Sequence, residues 1–413
     1  MILRLASLSI AAACGLTLAT APSKAQGPQK DGTPAAAAAP AAVPPALVPV
    51  QLDEAIQKAA NALMSKVPEP TRPGEQRELV IDPLVDGYTG AQNVATIKMG
   101  GNIASLVKRS YTRFKVVPFT AATVSKQPLL LIGTFRPINT KNEPTGPKDA
   151  FHICLAMLDL KTGTVVSKGV ARAVPEGIDV TPAQFFQDAP VWIADPAISG
   201  YIKTCQATKV GDQIDQTYAD RIIVASLIGD AIEAYNRKRY RDALDLYRSA
   251  LRTPGGDQLR VHNGIYLANW RLQHTADATE AFGKLVDYGL KGSKIAVNFL
   301  FTPSSTIFFT PKGAVAPYSM WLKTIGKRGT AANACLEVVG HTSRTGPSAI
   351  NDRLSVLRAQ YVRDRLIAGA PALANRTIAT GVGSREVIVG TDTDGPHNAI
   401  DRRVEFKTVK CSA

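Results

Sequence analysis

Between residues 216 and 292 the apolar residues recur at helical spacing, whereas on both sides short β-branched runs alternate with helical stretches. The period changes at those bounds, and 413 residues are enough for two or three domains, so the chain reads as a series of modules. Upstream, a helix with Asp53 as its N-cap presents Ile56, Ala60 and Leu63 on one face. "ELVIDPLVD", "FKVVPF" and "PLLLIGTFRPI" read as strands, and "NVATIKMGGNIASLVKRSY" reads as a helix. "FHICLAMLDLKTGTVVSKGVARAV" reads as a hairpin turning at Lys161-Thr162-Gly163. Residues 51–215 are therefore expected to form an α+β domain. Downstream, residues 293–413 are mixed again. "AVNFLFTPSSTIFF" is a strand running into a loop, "YSMWLKTI" a helix, and "ACLEVVGHTS" a buried strand. "PSAINDRLSVLRAQYVRDRLIAG" is a helix that starts at Pro347, stops at Gly369 and carries Ile350, Leu354, Leu357 and Tyr361 on one face. "DRRVEFKTV" supplies the last strand.

The N-terminus implies export. Arg4 precedes an apolar run from Leu5 to Leu18, and Ser23-Lys24-Ala25 offers small residues for cleavage, so residues 1–25 read as a signal peptide. A lipoprotein reading of Ala11-Ala12-Ala13-Cys14 is the rival, and it alone would attach the protein to a membrane, through Cys14. Residues 26–50 are Ala/Pro-rich and read as a disordered linker. The formal charge of +14 becomes +12 once Arg4 and Lys24 leave with the leader. No Lys/Arg run or nucleic-acid motif concentrates that excess, so nucleic acid is not an expected partner. The remaining cysteines fall two and two into different regions of an exported chain, which suggests the bridges Cys154–Cys205 and Cys335–Cys411. Neither spacing is that of a zinc or dithiol motif.

Two weaker resemblances follow. Tyr240, Ala243, Tyr247 and Ala250, then Ala278, Phe282 and Leu285, have the spacing of a tetratricopeptide repeat. Ala243 and Ala278 lie 35 residues apart, against a family period of about 34. Two such units are too few to stand alone, so residues 216–292 must lean on their neighbours, as a peptide groove or as a spacer. The order β-α-β followed by a hairpin bearing "DLKTG" resembles the periplasmic domains of CsgG and LpoB-type lipoproteins, which carry protein–protein contacts.

The sharpest signal is "GHTSRTGPSAINDRLSVLRA", Gly340 to Ala359. With Gly381, Gly383 and Arg402-Arg403-Val404 it spreads over 65 positions in order. Residues 295–410 thereby resemble the C-terminal domain of outer-membrane protein A and its relatives, including peptidoglycan-associated lipoprotein and flagellar motor protein B. The resemblance implies an α/β sandwich with helices on a mixed sheet, and a ligand, the diaminopimelate side chain of the peptidoglycan stem peptide. Arg358 would meet the ligand carboxylate with help from the amides near Pro347–Ala349. Asn351, Ser355 and Arg358 would share one helical stripe, with Thr342 and Thr345 on the preceding loop and Arg402 beyond.

Ser343 departs from the family, which usually has aspartate there to meet the ligand ammonium. Losing a charge-assisted bond costs about 1.5–3 kcal/mol, roughly ten- to a hundred-fold in affinity. Asp401, where the family has asparagine, either returns that charge or pairs with a neighbouring arginine. His341 reads as structural, and "TDTDG" at 391–395 as a polar turn. No nucleophile elbow, zinc pair or phosphate loop is visible, and no metal or cofactor is expected. The chain is thus expected to be an α+β multidomain, non-catalytic envelope protein of the periplasm. It would associate with peptidoglycan through the C-terminal domain and with envelope proteins through the others. The alternatives are a scaffold that no longer binds the wall and, more distantly, a wall hydrolase.

Overall fold

A computed structural model describes residues 47–69, 72, 74–139, 148–192, 195–301, 305–308, 317–389 and 400–411. The expected signal peptide, most of the linker and the 391–395 turn lie outside them. Among the described residues no helix is long and apolar enough to cross a membrane.

The first sheet has the order β3-β1-β4-β5-β6, built from β1 (Arg77–Ile81), β3 (Phe114–Val116), β4 (Leu129–Ile138), β5 (Ala150–Asp159) and β6 (Thr164–Ala173), with β2 (Val85–Asp86) also paired to β4. The β1 pairings are parallel and the β4-β5-β6 ladder is antiparallel. Gly163, with φ of +68°, closes the β5–β6 turn at the expected place. Helices α1 (Leu52–Met64) and α2 (Val94–Ser110) share one core with the sheet, and α5 (Pro196–Gln206) and α6 (Gln216–Ala219) share another. Short helices α3 (Ala121–Val124) and α4 (Gln184–Asp188) complete this part.

Packing of α1 depends on small residues. Ala55, Ala59 and Ala60 face the sheet, and a Cβ at Gly169 of β6 would lie 1.9 Å from the Ala59 carbonyl oxygen. Ile56 and Leu63 are buried as expected. The N-cap is Gln51, however, and Asp53 sits one step into the helix, where its charge favours the first turn.

Helices α7 (Ile222–Asn236), α8 (Tyr240–Arg252), α9 (Leu259–Arg271) and α10 (Thr275–Lys291) follow, each packed on the next. Ala243, Tyr247, Ala250, Ala278, Phe282 and Leu285 are all fully buried. Gly264 of α9 faces the Tyr247 ring so closely that an added Cβ would lie 2.2 Å from it. This helical core does not end with the segment. Phe282 stacks on Trp321 of α11 (Tyr318–Ala331), and one apolar cluster runs from Phe185 through the helices to Phe406.

The second sheet has the order β10-β9-β11-β8-β7. Its strands are β7 (Val191–Trp192), β8 (Lys294–Val297), β9 (Cys335–Gly340), β10 (Thr377–Gly381) and β11 (Val404–Val409). The β10–β9 pairing is parallel and the rest are antiparallel. Strand β7 comes from the segment that the sequence places in the first domain, yet it pairs with β8. Helix α12 (Ser348–Gly369) packs on β9 and β10.

Cys335 and Cys411 are bonded, tying the start of β9 to the end of the chain's last strand. The expected Cys154–Cys205 bridge is not formed. Both residues are buried and unbonded, and they lie side by side with their sulfurs 2.6 Å apart, so the expected partners are brought together without the bond itself.

Candidate functional site

The motif residues gather where β9, α12 and β10 meet. Two glycines bring the elements together. A Cβ on Gly340 would lie 2.0 Å from the Ser355 carbonyl oxygen, and one on Gly381 would lie 2.4 Å from both the Ser355 hydroxyl and the Val356 amide. The helix therefore rests on the sheet through backbone and small side chains, Ser355 and Ala359 among them. This overturns the expected apolar face. Ile350 is 60% exposed and Leu357 40% exposed, while Asn351, Ser355 and Arg358 face inward with Ala359, Val362 and Leu366. A contact this close has no room for large apolar side chains, so they lie outside it.

The loop from His341 to Pro347 is stitched by its own polar groups. Thr342 N–H donates to the Gly383 carbonyl at 2.9 Å. Asn351 Nδ2 donates to the Thr345 carbonyl at 2.9 Å and, at longer range, to those of Ser343 and Gly346. Ser343 is only 4% exposed, and its hydroxyl pairs with that of Thr345 at 2.8 Å. The Thr342 hydroxyl is buried and has no hydrogen-bond partner. Ser355 Oγ donates to the Asp352 carbonyl at 2.8 Å and accepts from Gly383 N–H at 2.9 Å. It thereby clips the turn after β10 to α12.

Arg358 lies further along the same stripe and is 6% exposed. Its Nε donates to the Ser305 carbonyl at 3.2 Å, and its guanidinium sits 4.8 Å from the Phe301 ring centroid. Phe301 and Ser305 were not legible as site residues. Their one signal was position, in the loop that follows the domain's first strand.

Asp401 also serves the backbone, a role the sequence did not suggest. It is fully buried, and its Oδ1 accepts from the amides of Ile388, at 2.6 Å, and Val389, at 3.0 Å. That oxygen organises the chain beyond β10. Arg402 is half-buried, and its neighbour Arg403 turns inward, donating to Glu405 at 2.7 Å and to the Glu386 carbonyl.

Glu405 is the centre of a buried ionic cluster. Burial works to raise its carboxyl, but His341, Arg403 and Lys294 outweigh it and hold the group well below the usual carboxylate range. Burial also depresses His341, whose Nε2 lies 3.4 Å from Glu405. His341, Glu386 and Glu405 bring possible ligand atoms within 4.8 Å of one another. Arg403 and Lys294 already neutralise Glu405 and put two positive charges beside it, a setting hostile to a divalent cation.

No protein-family model matches the chain, and no curated protein matches it. Solved structures do. The cell wall anchor of the type VI secretion system from Pseudomonas aeruginosa is 26% identical over 29% of this chain and 81% of that chain, with a TM-score of 0.24. The periplasmic domain of Helicobacter pylori MotB is 18% identical over 28% of this chain and 76% of its own, with a TM-score of 0.24. The OmpA-like domain of FopA1 from Francisella tularensis is 20% identical over 28% and 77%, with a TM-score of 0.22. Likeness of this degree, over little more than a quarter of the chain, leaves the functional reading to the residues themselves.

Proposed function

We propose that this is a non-catalytic periplasmic envelope protein that associates with peptidoglycan through its C-terminal domain and holds protein partners through its other modules. One observation carries the reading: Asn351, Ser355 and Arg358 are turned inward beneath the 342–346 loop. A planar fork of donors is the natural receptor for a carboxylate. Arg358 takes the stem-peptide carboxylate, and the loop hydroxyls take its amine. The site has to loosen for this, because Arg358 holds the Ser305 carbonyl and Ser343 holds Thr345.

Those same two contacts favour a second reading, a scaffold whose C-terminal domain keeps the fold without the wall. Sedimentation with purified sacculi separates the two. The wild type is expected to pellet with the wall, Arg358→Ala to lose about tenfold in affinity, and Ser343→Asp to gain about tenfold. Equal sedimentation of all three would leave the scaffold reading standing. Zymography on the same sacculi is expected to show no clearing.

A further inference from the structure

We propose that a second site, distinct from the 342–346 loop, binds a small zwitterion with an apolar side chain, a hydrophobic amino acid. It is a cavity of about 300 Å³ bounded by α4, β7, the start of α5, α9 and β8, within the size range of small-ligand sites. Phe185, Phe186, Trp192 and Val297 give it an apolar wall.

Four polar groups on its lining have an atom with no partner. Asn263 is more than nine-tenths buried; its Nδ2 donates to the Val191 carbonyl at 3.2 Å, so its Oδ1 is the unpaired atom. Asn93, equally buried, accepts the Thr96 amide on Oδ1 and leaves Nδ2 unpaired. Asp195 caps α5 with Oδ1, accepting from Ala197 N–H at 2.8 Å, while its buried Oδ2 has no partner. The Oδ1 of Asn298 is the fourth. Native interiors seldom leave such atoms unpaired, and each asks what normally satisfies it.

Four charged residues line the cavity; Asp86 is held by the amides of Tyr88 and Thr89 and Arg403 by Glu405, so Arg260 and Asp195 define the ligand class. Arg260 lines the same cavity, donates Nη2 to the Gly90 carbonyl at 2.9 Å and sits 5.4 Å from the Phe186 ring centroid. Asp195 is close enough to act on Arg260 electrostatically, yet no ion pair joins them. A lone anion would meet Asp195 and a lone cation would meet Arg260. A molecule with both charges answers each, its carboxylate on Arg260 and its ammonium on Asp195 Oδ2. The ammonium's other donors match the unpaired amide oxygens, and the side chain fills the aromatic wall.

The test is calorimetric titration of the full mature chain with L-phenylalanine, 3-phenylpropionate and 2-phenylethylamine, with Trp192 emission followed in parallel. Phenylalanine is expected to bind saturably and each single-charge analogue about tenfold or more weakly. Asp195→Asn keeps the helix cap, so it should melt with the wild type while losing about tenfold in phenylalanine affinity. Arg260→Gln should lose as much; if that variant does not fold, Asp195→Asn decides. Absence of saturable binding overturns the proposal, as would an analogue that binds as tightly as phenylalanine or an unchanged affinity in Asp195→Asn.

Discussion

In the loop ahead of α12, Asn351 gathers three carbonyls, Ser343 pairs with Thr345, and Ser355 clips Gly383. In the cavity beside α9, Asn263, Asn298 and Asp195 each leave an acceptor unanswered. The first region is closed upon itself, apart from the Thr342 hydroxyl, and a ligand there has to displace existing bonds. The second leaves acceptors unpaired, and a ligand that reaches them adds bonds without breaking any. Polar atoms should therefore contribute stability in the loop and little or none along the cavity.

The hardest blow to the contrast is Gly340→Ala. Its Cβ meets the Ser355 carbonyl oxygen, so α12 must lift from β9 at a cost of about 3 kcal/mol or more. Urea melts should show that loss.

A pH titration comes next. Burial, opposed by the Tyr218 hydrogen bond and by Arg260, pushes the Asp82 carboxyl from 3.8 up to about 7. A raised acid stabilises the fold fully below its unfolded pKa and loses that contribution as pH climbs through the folded value. The loss between pH 5 and pH 8 is about 3 kcal/mol. Asp82→Asn should match the wild type near pH 5 and exceed it by about that amount at pH 8, measured by chemical denaturation. In the second sheet the sign reverses. His341 and Glu405 are both depressed, so they stabilise it above their ordinary values and give that up as pH falls through the shifted ones.

Asn351→Ala should cost about 2 kcal/mol by stranding the loop carbonyls. Asn298→Leu has the smallest expected effect. It should leave the ligand-free melting temperature unchanged or raise stability by up to about 1 kcal/mol, because the atom removed had no partner to lose.

Local patterns in the sequence carried far. The β5–β6 hairpin, its Gly163 turn and the buried Tyr247 and alanines of α8 follow from spacing alone. The face of α12 does not, because periodicity shows where apolar residues lie and not which side a sheet occupies. Gly340 and Gly381 decide that, and they belong to other elements. For the same reason the hold of Ser305 and Phe301 on Arg358 could not be read, since it joins positions 53 and 57 residues apart. The cavity was invisible too, being lined by Asn93, Asp195, Asn263 and Asn298 from four separate stretches, each polar in an ordinary way.

Strand β7 has a practical meaning. A fragment begun at residue 293 would take β8 to β11 and leave Val191–Trp192 behind. The backbone groups of Ala296 and Val297 that β7 covers would then be bare along one border, an invitation to pair with another molecule. Self-association of such a truncated piece would report the cut and not the native protein, and an honest excision has to begin upstream of Pro190, whose carbonyl also receives the Asn298 amide.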